Sequence, residues 1–296
     1  MKNFFWVDAF SSKQFGGNPC AVFLDCEGLK KPEMQNLAKE INLSETAFVF
    51  SSDKADFSAR YFTPDEELPF AGHPTLSVVH AMIESKRLNL SAQSKKIRIE
   101  LASGIVEAFY EINNGVSLVS IVGKVPVFKR KYDQQTCQRI FGLTSDDFIK
   151  DIPIQTVDAG LPVLMVPVAD LRALKKVSFA DPRAYLEFKK TGDFLFPHFF
   201  CCSGPDGAEG TFARSLFEAP SNREDPFTGS ASLCMAAFLW KYKLISELEF
   251  YAYQGHWIER PSSAKLTILE KNGSIESLKI SGAVRTIFSG NIELNR

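Results

Sequence analysis

Short apolar runs bounded by turn residues fill most of this chain, and helical spacing replaces them at a few places. Asn3–Ala9 reads as a strand, Gly16-Gly17-Asn18-Pro19 as a turn, and Cys20–Leu24 as a second strand. Pro32 fits the first turn of a helix over Glu33–Glu40, where Met34, Leu37, Ala38 and Ile41 recur at helical spacing. Thr46–Ser51 and Asp56–Thr63 read as strands joined by a polar turn. After His73, Leu76, Val79, Met82 and Ile83 share one side of a helix while Val78 and Ala81 occupy the rest. A helix apolar nearly all round must be enclosed. Lys96–Leu101, Ile105–Ile112 and Val116–Val122 return to short strands.

The second half repeats this order. Ile154–Val168 is rich in valine, leucine and isoleucine, Pro182–Lys189 is helical and Asp193–Cys202 strand-like. The helix after Ser230 carries Leu233, Ala236, Ala237 and Trp240 on one face and Met235, Phe238 and Leu239 elsewhere, so it too should be enclosed. Val116–Phe128 and Ser277–Phe288 read as continuous strands carrying the chain between halves. The expected fold is α+β, with two pseudo-symmetric lobes, each a strand barrel around a central helix. The first lobe is expected over 1–118, with 283–296 returning to it, and the second over 119–282.

The two enclosed helices begin with near copies of one motif. Leu68-Pro69-Phe70-Ala71-Gly72-His73-Pro74-Thr75-Leu76 returns 157 residues later (68 to 225) as Asp225-Pro226-Phe227-Thr228-Gly229-Ser230-Ala231-Ser232-Leu233. Ala59-Arg60 and Ala213-Arg214 precede the copies, and Val7-Asp8-Ala9 recurs as Val157-Asp158-Ala159. Downstream, Gly115–Gly123 resembles Gly273–Gly282, and matches in the same order on both sides point to duplication. Each copy places glycine and small polar residues at a helix start, where unpaired N–H groups and the helix dipole attract an anion. Two such starts facing one another would clamp a small anionic metabolite.

Composition narrows the field. A chain of 296 residues is long enough for two domains. With 34 basic and 35 acidic residues its net charge is −1, which gives no footprint for nucleic acid. No window has the apolar length to span a membrane. The start of the chain lacks the pattern of a secretory signal, so its six cysteines read as reduced thiols of a cytoplasmic protein.

Candidate chemistry is sparse. Glu45, in Asn42-Leu43-Ser44-Glu45-Thr46-Ala47-Phe48, lies between a helix end and a strand entering the core. Such a glutamate is ordinarily a cap or a solvated turn residue. The corresponding stretch of the second half, Thr191-Gly192-Asp193-Phe194-Leu195, offers no glutamate, and that asymmetry favours a functional carboxylate. Asn18 is either a turn residue or an amide presented to a bound carboxylate. Asp225 either complements the dipole of the helix that follows or accepts from a substrate ammonium or hydroxyl. His73, Asp225 and Ser230 suggest a hydrolase triad, but Ser230 lacks the G-x-S-x-G elbow. The four histidines have no metal-ligand spacing, and no cysteine pair has zinc-ribbon spacing. Phe15–Pro19 lacks the lysine of a phosphate loop.

Taken together, Val7-Asp8-Ala9-Phe10, Gly17-Asn18-Pro19, Ser44-Glu45-Thr46-Ala47-Phe48, Arg60-Tyr61-Phe62-Thr63-Pro64, Phe70-Ala71-Gly72-His73-Pro74-Thr75, Glu224 to Ala231 and Arg260-Pro261-Ser262 resemble the PhzF family of phenazine-biosynthesis-like isomerases, which share the diaminopimelate epimerase fold. The resemblance implies two similar lobes with the site in the cleft between them, a homodimer and no cofactor. It implies that Glu45 transfers the proton, with Asp225 and His73 as further catalytic residues and Asn18, Gly72, Gly229 and Ser230 binding substrate. The epimerase relatives place a cysteine at each helix start; here Ala71 and Pro226-Phe227 stand nearest, so a two-thiol racemase is not expected. Cys20 is expected near the cleft without a catalytic role. Ser221-Asn222-Arg223 and Glu259 depart from the family pattern.

This reading gives a cofactor-independent isomerase that moves a proton between carbons of a small carboxylated substrate. A glutamate in an apolar cleft has its pKa raised towards the range of a general base that later returns its proton. The alternative is a metabolite-binding protein that kept the clamp and lost the chemistry.

Overall fold

The computed structural model describes residues 2–88, 94–218 and 223–293. The chain divides into two compact units, residues 1–122 with 281–296 and residues 123–280.

The first unit is built around one apolar helix. Its elements are β1 Lys2–Ala9, β2 Asn18–Phe23, α1 Lys31–Ile41, β3 Glu45–Phe50, β4 Phe57–Phe62, β5 Glu67–Leu68, α2 Gly72–Glu84, β6 Ser94–Leu101, β7 Gly104–Asn113 and β8 Val116–Gly123. Strand order is β1-β2-β3-β4-β6-β7-β8, and the last strand of the chain, Ser274–Ile292, pairs with both β8 and β1. That closes an eight-stranded barrel and removes its free edges. α2 packs against β1, β2, β3 and β7, and every residue from His73 to Met82 is buried. Its lack of a polar face is thus explained by enclosure on all sides. α1 is amphipathic and covers the outside of the barrel, where Met34 and Ala38 meet Ala21, Phe23, Phe48 and Phe62. Strands β2 and β3 are therefore largely buried on both faces, which accounts for their nearly continuous apolar sequence.

The second unit contains β9 Val127–Tyr132, α3 Gln134–Phe141, β10 Ile154–Asp158, β11 Pro162–Pro167, α4 Leu171–Lys176, α5 Pro182–Thr191, β12 Phe196–Cys201, β13 Thr211–Ser215, α6 Gly229–Lys241, β14 Glu249–Gln254 and β15 Ser262–Lys271, with β16 Ser274–Ile292 continuing into the first unit. The sheet runs β9-β10-β11-β12-β13-β14-β15-β16. α6 packs on β10, β11 and β15 and is buried from Ala231 to Leu239. α3, α4 and α5 contribute Phe141, Leu174 and Tyr185 to an outer core around Phe199 and Phe212.

The duplication is visible in the pairing sense. In the first unit β1/β2 is antiparallel, β2/β3 parallel, β3/β4 antiparallel, β4/β6 parallel and β6/β7 antiparallel. The second unit repeats this sequence over β10 to β15. One ion pair is duplicated with it. Arg60 clasps Glu67 through Nε and Nη2 at 2.6 and 2.9 Å, and Arg214 clasps Glu224 at 3.0 and 2.7 Å. In both copies the fork ties a strand to the segment that leads into the enclosed helix.

Three expectations need correction. Val116–Phe128 is not one strand: β8 ends at Gly123 and β9 begins at Val127, with Pro126 between them unable to donate to a ladder. The strand expected from Asp193 starts at Phe196, because the Asp193 carboxylate accepts a hydrogen bond from the Tyr132 hydroxyl at 2.6 Å and is held in a turn. Helices α3 and α4 were not anticipated, although each carries a cap. Asp133 accepts from the Thr136 amide at 2.8 Å, and Asp170 from the Ala173 amide at 2.7 Å.

The central position of α2 sets an expectation for stability. Leu76 is fully buried, and Leu76→Ala should lower the unfolding free energy in urea by about 2–5 kcal/mol. Leu186, 44% exposed on α5, should lose no more than about 0.5 kcal/mol as alanine. Equal losses would contradict the enclosed-helix reading.

Candidate active site

The first unit brings Glu45, His73, Gly72 and Asn18 together. β2 and β3 run parallel with Cys20 beside Glu45, which sets Glu45 at the first position of β3. Its Oε2 lies 3.3 Å from Nε2 of His73, the second residue of α2. The two atoms are at ion-pair distance, and Oε2 has no aligned hydrogen bond. Burial raises the Glu45 pKa to about 7, against an opposing pull from the Ser44 side chain. The side chain nevertheless keeps 19% of its surface exposed. Glu45 is therefore neither the cap nor the solvated turn residue that its local sequence suggests. It is a largely desolvated carboxyl, with Oε2 itself shielded from solvent.

Neighbouring residues fix this arrangement. Asn18 is fully buried at the start of β2, with its amide oxygen 3.5 Å from the Ser44 hydroxyl. Gly17 precedes it at φ +72°, where a Cβ would stand 2.3 Å from the Ala9 carbonyl oxygen, so only glycine fits. Ala71, the N-cap of α2, supplies no side-chain cap, and the first turn holds no acidic residue. The Thr75 hydroxyl turns back to the Ala71 carbonyl at 2.7 Å and also meets the buried Tyr61 hydroxyl at 3.1 Å. The positive end of α2 thus lies beside Glu45 and His73 without an internal counter-charge. Cys20 is buried, and burial together with the nearby Glu45 raises its thiol well above its usual range. It remains protonated and is a poor nucleophile.

The second unit brings Asp225, Gly229 and Ser230 together at the start of α6. Asp225 accepts the Thr228 hydroxyl at 2.6 Å. Gln254, fully buried on β14, donates to the Asp225 carbonyl at 2.7 Å and to Thr228 Oγ1 at 3.1 Å, and accepts from the Thr228 amide at 3.2 Å. With its hydroxyl engaged by Asp225, Thr228 makes no side-chain cap to α6, and the first turn holds no acid. Gly229 is buried and Ser230 half-buried. The Ser232 hydroxyl repeats the bond made by Thr75, reaching the Thr228 carbonyl at 3.0 Å. Gln254 was missed because it lies far from the motif in sequence, at the end of β14.

Strand register identifies the counterpart of Glu45. Val7 pairs with Cys20, which pairs with Glu45; Val157 pairs with Val163, which pairs with Phe196. Phe196 therefore occupies in the second unit the position of Glu45 in the first. The stretch expected to correspond, ending at Leu195, stops one residue short. The same register equates Ala47 with His198, a fully buried imidazole whose pKa burial depresses to about 3 and whose Nδ1 lies 2.8 Å from Ser215 Oγ.

His73 belongs to the first unit and Asp225 and Ser230 to the second. Among the described residues no group of three or more His, Cys, Asp or Glu side chains could hold a metal ion, and no helix is long and apolar enough to cross a membrane. Ser221 and Asn222 lie outside the described residues; Arg223 is exposed. Glu259 is exposed at φ +59°, a left-handed position of the kind glycine takes without strain.

The chain belongs to the PhzC–PhzF family of phenazine biosynthesis-like proteins, whose profile matches residues 7–290. It is 29% identical to an uncharacterized isomerase of Mesorhizobium japonicum over 98% of each chain. It superimposes on the PhzF-family phenazine biosynthesis protein of Bacillus anthracis with a TM-score of 0.87, at 26% identity over 99% of both chains. A probable proline racemase of Agrobacterium radiobacter shares the fold at a TM-score of 0.67 and 14% identity, covering 100% of this chain and 94% of that one. The protein is an isomerase with the diaminopimelate epimerase-like fold.

The Glu45 environment has a pH signature. Its carboxyl titrates near 4.5 unfolded and about 7 folded. Between those values the native state binds the additional proton, so this stability is fully present below about pH 4.5 and is lost as pH rises through about 7. At about 1.4 kcal/mol per pH unit the loss comes to about 3 kcal/mol. The stability of Glu45→Gln minus that of wild type should therefore rise by about that amount between about pH 4 and 8 in urea melts. A flat difference would contradict the desolvated carboxyl.

Proposed function

We propose that the protein is a cofactor-independent isomerase that moves a proton between carbons of a small carboxylated substrate, with Glu45 as the base that removes it and the acid that returns it. The observation that carries this reading is a carboxyl raised to about 7 in one unit, at a position held by phenylalanine in the other. A group with that pKa can both accept and donate a proton near neutral pH.

The starts of α2 and α6, which lack side-chain caps and acidic first-turn residues, would serve one substrate as a clamp for its anionic groups. Removing a proton next to a carboxylate builds negative charge on the substrate oxygens, and backbone donors stabilise that charge as it develops. One such donor contributes about 2.7–4 kcal/mol to lowering the barrier. His73, at 3.3 Å, would compensate Glu45 while it is ionised. Asn18, Gly72, Gly229 and Ser230 would line the substrate, and Asp225 would accept from its ammonium or hydroxyl. With a single base, the proton leaves and returns on one face, giving isomerisation without epimerisation. By the family resemblance the working form is a cytoplasmic homodimer.

Glu45→Gln keeps the size of the side chain but cannot take up a proton. It should bind carboxylated substrate with little change, while turnover falls by about a thousandfold or more. In heavy water the wild type should place deuterium at the new carbon position to the extent that the proton held by Glu45 exchanges with solvent before its return, and the variant should leave substrate unlabelled and unconverted. Near-normal turnover in the variant would place the base elsewhere.

A further inference from the structure

At the opposite end of α2 from His73, the first unit holds a cavity of about 410 Å³. It is bounded by the last turn of α2, the β7–β8 hairpin, the final strand and Ser12. Glu84 lies about 16 Å along the helix from His73, at 1.5 Å per residue. The cavity is therefore separate from the Glu45 carboxyl.

Its walls combine one open cationic fork and one pinned carboxylate. Arg285 is exposed; its Nη1 donates to the Ser12 carbonyl at 3.1 Å, and among the described residues it forms no ion pair. Nε and Nη2 are left to take a planar anion in bidentate fashion. On Glu84, Oε2 accepts the Thr286 hydroxyl and lies 3.0 Å from Nε2 of His80, whose side chain is nine-tenths buried. His80 beside it holds the Glu84 carboxyl below the usual range, so the group is ionised. Oε1 accepts from none of the described residues and is available to a cation. His80 Nδ1 is buried without a hydrogen-bond partner. The Tyr110 and Ser117 hydroxyls meet at 2.9 Å, and Ile83, Val116 and Val284 supply apolar wall.

We propose that this cavity is a second ligand site, for a small zwitterion of the apolar amino acid type, with its carboxylate on Arg285, its ammonium on Glu84 and its side chain against Ile83, Val116 and Val284. A simple anion would meet Glu84 and a simple amine would meet Arg285, so each alone encounters a like charge. A zwitterion satisfies both. The site does not depend on the Glu45 chemistry.

The test is calorimetric titration of the intact protein with L-leucine, L-methionine and L-phenylalanine, alongside N-acetyl-L-leucine and L-leucine methyl ester. At least one free amino acid should bind, with both blocked forms about tenfold weaker, a difference of about 1.4 kcal/mol. Arg285→Gln and Glu84→Gln should each weaken binding about tenfold or more, whereas Glu45→Gln should leave it unchanged. Both substituted side chains are exposed, and unchanged thermal unfolding would show that the variants are intact. Backbone amide shifts should move at Glu84, Ser117 and Thr286. Absence of binding by all three amino acids up to about 10 mM would overturn the proposal. Binding that is insensitive to Arg285→Gln and shifts Glu45 and His73 instead would also overturn it, and would leave the isomerase reading intact.

Discussion

The site depends on one costly arrangement: a glutamate carboxyl withdrawn from water at the first residue of β3 and set 3.3 Å from an imidazole at the start of α2. Ionising it there costs about 3 kcal/mol more than in the unfolded chain, following its rise from 4.5 to about 7. Only a rigid surround sustains such a group. The closed barrel supplies it, through the pairing of β1 with both β2 and the final strand, and through α2 buried from His73 to Met82. The same enclosure that forces α2 to be apolar fixes its first turn beside Glu45. Packing and electrostatics thus share one cause.

Duplication explains the scaffold, and the proposed proton-transfer residue lies where the two copies diverge. The Arg–Glu forks, the hydroxyl-to-carbonyl bonds of Thr75 and Ser232, and the order of parallel and antiparallel pairs recur in both units because each copy solves the same folding problem. Where the copies diverge, folding no longer dictates the residue. Glu45 against Phe196 is such a place, and Ala47 against His198 another. A side chain that stability would replace with an apolar one, as in the second unit, is retained in the first at a cost, which points to function.

Much of this was legible in the sequence. The enclosed helices followed from residues such as Val78 and Ala81 on what would otherwise be a polar face, and the two lobes followed from the repeat beginning at Leu68 and Asp225. Most strands of the first unit were legible where turn residues bounded an apolar run, whereas β13, β14 and β15, in which polar residues interrupt the pattern, were not. The break at Pro126 was not, because flanking valines continue the strand pattern across it. The Asp133 and Asp170 caps were present, but the short α3 and α4 beyond them carry too few turns to establish a helical period. At the site, Glu45 stood out by asymmetry, yet its true counterpart emerged only from register, which sequence spacing cannot supply across loops of unequal length. Gln254 was invisible for a related reason. It acts from β14 on Asp225 and Thr228 in the segment that leads into α6, and nothing local distinguishes a buried glutamine from an exposed one.

The central claim, that Glu45 is a desolvated carboxyl poised to exchange a proton near neutrality, is tested most directly by following its side-chain carbon resonance through a pH titration. The assignment would be made by loss of the signal in Glu45→Gln. The account requires a midpoint of about 7. A midpoint near 4.5, the value of an ordinary glutamate, would contradict it.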